Sequence, residues 1–164
     1  MKKRMRYISP SEGVVTTKGM IDSISRFVKE EPSCFYRLVI GTDSQTRKIN
    51  GQSECDYVTA IVIHRLGRGA KYFWRKEKDK PAVLRQKIYF ETMRSLDTAH
   101  ELVPKIREVV SPSTYDLEIH IDVGPLGPTR EMIREVVGIV TGNGFVAKTK
   151  PESWAASSVA DKHT

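Results

Sequence analysis

The sequence predicts an α/β fold: a mixed five-stranded sheet flanked by helices. Three observations carry this. Three strand-like segments between residues 35 and 75 are parted by tight turn signals, as in an antiparallel meander. From residue 79 onward helical and strand patterns alternate, which implies parallel pairing through right-handed crossovers. Two apolar runs, Leu38–Thr42 and Leu117–Ile121, each end on an aspartate, Asp43 and Asp122.

The elements follow in order. Met20, Ile21, Ile24, Phe27 and Val28 recur at helical spacing with Lys18, Asp22, Arg26 and Lys29 between them, so residues 17–31 read as an amphipathic helix that Pro32 stops. Residues 1–34 form an N-terminal extension around that helix, in one domain spanning 1–164. Residues 35–43 are a strand whose short apolar run is buried on both faces. Asn50-Gly51 marks a turn in a polar loop, 57–64 a second strand, Gly67-Arg68-Gly69 a turn and 70–75 a third strand. A long helix starts near 79–81, where proline is tolerated, and runs to about 110, with Pro104 kinking or breaking it. Residues 115–123 are the fourth strand, 129–141 a helix, 145–150 a short fifth strand, and Pro151-Glu152-Ser153 opens a last helix.

Composition narrows the function classes. A hydrophobic share of 39% over 164 residues supports a folded core and argues against disorder. No apolar run is long enough to span a bilayer, and no apolar signal core follows the basic stretch Met1–Arg6, so the expected location is the cytoplasm. Cys34 and Cys55 lack both a disulfide framework and metal-ligand spacing. The net charge of +7 favours polyanionic partners, nucleic acid (RNA, DNA or hybrid) among them.

Four acids fall in order on a strand, a helix, a strand and the last helix: Asp43, Glu91, Asp122 and Asp161. Asp43 sits in Ile-Gly-Thr-Asp-Ser-Gln. An aspartate there can cap a turn, but Gly41 leaves room for a ligand or a second backbone to approach. Along the fourth strand Leu117, Ile119, Ile121 and Val123 share one face and Asp116, Glu118, His120 and Asp122 the other. A solvated face accounts for Asp116 and Glu118; Asp122, deep in the strand before a glycine-proline connection, fits it less well. On the long helix Leu84, Ile88, Ala99, Leu102 and Ile106 form one stripe, and Glu91 lies about 20° short of two full turns from Leu84 at ~100° per residue. A carboxylate bordering a packed face needs a partner, either a base such as Lys87 or Arg94 or a metal ion. Asp161 follows the small residues Ala155, Ala156, Ser157, Ser158 and Ala160, and is either a surface acid near a frayed end or a fourth ligand.

Carboxylates at strand ends joined by carboxylates from helices are a donor set for two Mg²⁺ or Mn²⁺ ions acting on a phosphodiester. Arg47, Lys48, Arg130, Lys148, Lys150 and Lys162 are candidate phosphate contacts, and Trp154 a candidate stacking platform for a base. Solvated lysines and a core tryptophan are the plainer alternatives. His120 and His163 are possible proton shuttles.

Three stretches carry a family resemblance: Ile40-Gly41-Thr42-Asp43-Ser44-Gln45; His120-Ile121-Asp122-Val123-Gly124 with Gly127-Pro128-Thr129; and Lys150-Pro151-Glu152-Ser153-Trp154-Ala155-Ala156 through Ala160-Asp161-Lys162. With them the chain resembles the ribonuclease-H-like superfamily and, more narrowly, the YkuK-like family of small bacterial proteins. The resemblance implies a ribonuclease-H-like sheet and assigns Asp43, Glu91, Asp122 and Asp161 to the metal-binding acids. Ser44-Gln45 after Asp43 departs from the Asp-x-Glu of proofreading-type 3′–5′ exonucleases, which argues against that mechanism class. The expected function is a metal-dependent nuclease with Asp43 bridging two ions. The alternative is a non-catalytic nucleic-acid-binding module on the same fold.

Overall fold

The computed structural model describes residues 5–154, 158–159 and 162–163. It opens with a hairpin absent from the expectation, β1 (Arg6–Ser9) and β2 (Gly13–Thr16). Strands of four residues are too short to display a period, and so residues 1–34 read only as a helix with flanks. α1 (Thr17–Glu30) follows directly, and the Thr16 hydroxyl accepts the Gly19 N–H at 3.1 Å to cap it. It buries Met20, Ile21, Ile24 and Val28, the stripe its spacing predicts.

β3 (Tyr36–Ile49) and β4 (Gln52–Arg65) form a long antiparallel hairpin. Asn50 and Gly51 close it with φ of 52° and 78°, a two-residue turn that favours these residue types because both must adopt positive φ. Both strands outrun the expected bounds. Ser44 to Lys48 carries no apolar alternation, yet it stays paired with β4 as far as Ile49. β5 (Ala70–Asp79) likewise continues past residue 75, so α2 (Leu84–Val109) begins later than expected. Pro104 lies within α2 without ending it.

β6 (Tyr115–His120) runs parallel to β3, and α3 (Ile133–Gly142), entered through a 3₁₀ turn at Arg130–Met132, leads to β7 (Val146–Lys148), parallel to β6. The sheet order is β2-β1-β5-β4-β3-β6-β7: seven strands where five were expected, in the mixed α/β class that was expected. The extra two come from the hairpin, which covers the free edge of β5 through Ile8 opposite Trp74.

Alternation along β3 sends Leu38 and Ile40 into the core beneath α1, α2 and α3, and Val39 to the opposite face with Ala60, Val62 and Val159. Between α2 and the sheet lies a buried hydroxyl relay. Thr42 Oγ1 is 2.8 Å from Ser95 Oγ and 3.1 Å from Thr59 Oγ1. Small side chains here let α2 settle close to β3 next to Asp43, and each satisfied bond contributes about 1 kcal/mol net.

Candidate functional site

The site forms where β6 stops and β3 continues. The parallel register ends with Gly41 opposite His120. Beyond it the chain after β6 stays tied to the segment after β7, through Ile121 N–H to Lys148 O at 2.9 Å and Lys150 N–H to Val123 O at 2.8 Å. Asp122 therefore leaves the end of β6 beside the stretch of β3 that carries Asp43. Asp43 is half-buried, and its Oδ1 accepts the Ser44 N–H at 3.0 Å.

Ser44, on the alternate face, points to α2. Its hydroxyl donates to Glu91 Oε1 at 2.5 Å. Glu91 is only 5% exposed, and its Oε2 is buried without a hydrogen-bond partner. Burial pushes the Glu91 carboxyl up to about 8; the Ser44 hydroxyl pulls it back, and the nearby charges of Asp43 and Asp122 push it further up. The helix phase that singled out Glu91 was read from Leu84, which is itself 45% exposed. The buried face of α2 begins at Ile88 and includes Glu91.

Lys150 supplies the positive charge. Its Nζ lies 2.8 Å from Asp122 Oδ1. The hydrogen bond to Asp122 raises the Lys150 ammonium above its ordinary range, with Asp122, Asp43 and Glu91 all adding attraction. Among the described residues no three of His, Cys, Asp or Glu are drawn together tightly enough to hold a metal ion as they stand. The donor chemistry nonetheless fits one. Three carboxylates supply the hard oxygen ligands that Mg²⁺ and Mn²⁺ take, and Glu91 Oε2 is a buried acceptor with nothing to accept. Asp161 lies outside the described residues.

The chain matches the ribonuclease H-like family over residues 19–164. It belongs to that family. An uncharacterised protein of Bacillus subtilis (strain 168), YkuK, is 33% identical over 165 residues, covering 94% of each chain. No solved structure matches at a significant level.

The other residues singled out for this ribonuclease H-like chain scatter. Arg47 lies out along the β3–β4 hairpin with its Nε 3.0 Å from the buried Asp56. Lys48 is exposed nearer the hairpin tip. Lys148 pairs with Glu152 at 3.3 Å. Arg130 lines a shallow cleft with Arg134 and Glu131 along the start of α3. Lys162 approaches the Tyr72 ring, and His163 stacks on Trp74 at 4.5 Å while bonding the Tyr72 hydroxyl at 2.9 Å. Lys150 alone of these stands on the acids.

The face of β6 that carries Glu118 and His120 is not solvated, contrary to expectation for Glu118. Both residues are buried. Glu118 Oε2 is ion-paired with Arg37 Nε at 3.0 Å, although that Nε makes no hydrogen bond of good geometry; Glu118 Oε1 lies 3.2 Å from His120 Nε2, and His120 Nδ1 accepts the Trp154 N–H at 3.2 Å. The last bond makes Nδ1 the acceptor, so Nε2 carries the proton toward Glu118. Burial lowers the His120 pKa, with Glu118 opposing. Trp154 is half-exposed, its ring edge-on to His120 at 5.7 Å.

Two contributors had escaped the sequence reading. Ser44 is legible in principle, because next to a strand aspartate the following residue faces the helix layer. Gly124 is the other: a Cβ there would meet Lys150 Cβ at 2.9 Å.

Proposed function

We propose that this protein is a divalent-metal-dependent nuclease that hydrolyses nucleic-acid phosphodiester bonds. One observation carries the reading: Glu91, buried beside Asp43 and Asp122, keeps one carboxyl oxygen, Oε2, without a well-formed hydrogen bond from any described residue. Like-charged carboxyls gathered at a strand end destabilise the fold. Cation binding accounts for keeping them there.

Asp43, Glu91 and Asp122 would hold the metal, and Asp161, which lies outside the described residues, would add a fourth carboxylate. Bound Mg²⁺ or Mn²⁺ supplies Lewis-acid stabilisation to the oxygens that gain charge at phosphorus. Ser44 holds Glu91 Oε1 by its hydroxyl and so fixes which oxygen faces the cluster. The Thr42–Ser95 bond keeps α2 at the depth that brings Glu91 there. The net charge of +7 favours a polyanionic substrate, and membership of the ribonuclease H-like family points to nucleic acid. No helix among the described residues is long and apolar enough to cross a membrane.

The test is incubation of the protein with labelled single-stranded RNA, duplex DNA, RNA–DNA hybrid and a four-way junction, each with Mg²⁺, Mn²⁺ or EDTA. Cleavage that needs metal and disappears in Asp43→Asn is the expected result, and equal cleavage by that variant overturns the reading. One observation favours a second reading, a nucleic-acid-binding module without turnover: Lys150 already neutralises Asp122. Salt-sensitive binding with no cleavage of any substrate would select it.

A further inference from the structure

The Lys150–Asp122 pair is built into the fold. Lys150 N–H and Ile121 N–H fasten the two post-strand segments together, which sets Lys150 alongside Asp122. Gly124 is buried, and the Lys150 stem passes where its side chain would be, since a Cβ at 124 would lie 2.9 Å from Lys150 Cβ and 3.4 Å from Cδ. No real Cβ tolerates the shorter contact, so glycine at 124 makes the room that the lysine uses. The ammonium ends 2.8 Å from Asp122 Oδ1, while Glu91 Oε2 of the same cluster has no hydrogen-bond partner among the described residues.

We propose that Lys150 is the resident counter-cation of the Asp43–Glu91–Asp122 cluster and competes with a divalent ion for the Asp122 carboxylate. The inference rests on the reading of those three acids as cation ligands and adds the residue that sets their affinity. A lysine and a metal ion cannot both neutralise one carboxylate oxygen at full strength. Metal loading therefore includes the work of moving the ammonium off Asp122. The side chains of the pair are 55% and 28% exposed, so the lysine has solvent to move into, and the competition is modest.

The experiment measures Mn²⁺ binding to the full chain from the electron paramagnetic resonance of free Mn²⁺, with no nucleic acid and no turnover. Wild type, Lys150→Met, Lys150→Arg, Gly124→Ala and Asp43→Asn are compared. Lys150→Met is expected to bind Mn²⁺ about fivefold tighter than wild type, the scale of a half-exposed ion pair. Lys150→Arg keeps the charge and stays near wild type. Gly124→Ala pushes the lysine stem aside and shifts affinity in the direction of Lys150→Met. Asp43→Asn loses binding. Equal or weaker binding by Lys150→Met, with wild type still binding through Asp43, overturns the competition and leaves the metal reading standing. Lys150→Arg matching Lys150→Met overturns it too, because the charge is then irrelevant. No binding by any chain, or binding indifferent to Asp43→Asn, overturns both.

Discussion

Two polar clusters adjoin the end of β6, each with a buried acid, and they are built on opposite terms. In the first, each acceptor has a counterpart: Arg37 is ion-paired with one oxygen of Glu118, His120 Nε2 faces the other, and Trp154 N–H serves the second ring nitrogen, while Arg37 Nε itself makes no hydrogen bond. Asp122 belongs to the other cluster, with Asp43, Glu91 and the Lys150 ammonium on Asp122, where Glu91 Oε2 has no hydrogen-bond partner among the described residues. A closed network of charge and hydrogen bonds adds specificity to a fold and leaves nothing for a ligand to do. An open one keeps an unmet demand that a cation can answer. A buried acid near a strand end, an ordinary sign of function, is present in both. What separates them is whether the buried carboxyl oxygens themselves are matched by a charge or a donor.

The largest effect that tests this contrast is on activity. Asp43→Asn should lower metal-dependent cleavage by more than about 100-fold, since even the outer partners of metal ligands cost ~10–100-fold. Glu118→Gln, which alters the Arg37–His120 cluster and none of the three clustered acids, should leave cleavage near wild type once the protein is folded. Steady-state cleavage of one substrate at saturating Mn²⁺ decides between them. A comparable loss in both variants would erase the distinction.

The clusters should also give stability opposite slopes with pH. Glu91 is raised from its ordinary 4.5 to about 8, so the native state binds the extra proton. Its contribution is fully present below the unfolded value and is lost as pH rises through about 8, on the order of 5 kcal/mol in all. Glu91→Gln removes that slope and stabilises the metal-free protein above pH 8. His120 is lowered by burial. Its contribution is present above the unfolded value of about 6.5 and is lost as pH falls through the folded one. Urea unfolding in EDTA across pH 5 to 9 reads both. A flat alkaline limb in wild type would show that Glu91 carries no burden.

How much of this was legible depended on whether the cause was local. Asp43 and Asp122 stood out because each ends an apolar run, and α1 was readable from its own stripe. The β1–β2 hairpin was not, because strands this short acquire their meaning only from the β5 edge they cover. The outer half of the β3–β4 hairpin was hidden by its polar sequence: it is held by backbone pairing beyond the core, and no alternation records that. The burial of Glu118 was equally invisible, because what serves that face arrives from Arg37 and from Trp154, 34 residues after His120. Lys150 could be suspected as a base near a phosphate. Its place on Asp122 depends on the β6–β7 pairing, which is a property of the fold.

A middle-sized effect sharpens the same comparison from the matched side. Replacing Glu118 by Gln removes the charge that Arg37 pairs with and leaves one amide oxygen for two donors, so that the amide NH2 must face either Arg37 or His120 Nε2. Breaking a buried pair by removing one partner costs several kcal/mol, but Arg37 is 37% exposed and solvent screens part of that, so the expected loss is about 2 kcal/mol. Chemical denaturation at pH 7 measures it. A neutral outcome would mean that the network is replaceable, and that satisfaction alone does not mark a structural cluster.

The smallest effect carries the contrast out to the basic residues. Arg47 is committed, its guanidinium on the buried Asp56, whereas Lys48 next to it has no ion pair among the described residues. If the rule holds, the uncommitted base is the one available to a phosphate backbone. Lys48→Ala should weaken binding to duplex DNA about evenly across sequences and reduce the slope of log affinity against log salt by about 0.9, the share of one phosphate contact. Arg47→Ala should instead lower stability, because it strands a buried carboxylate. A salt titration of binding in Ca²⁺, set beside denaturation of both variants, separates the two. An unchanged slope in Lys48→Ala would place the nucleic acid elsewhere on the surface and leave the hairpin as a structural arm.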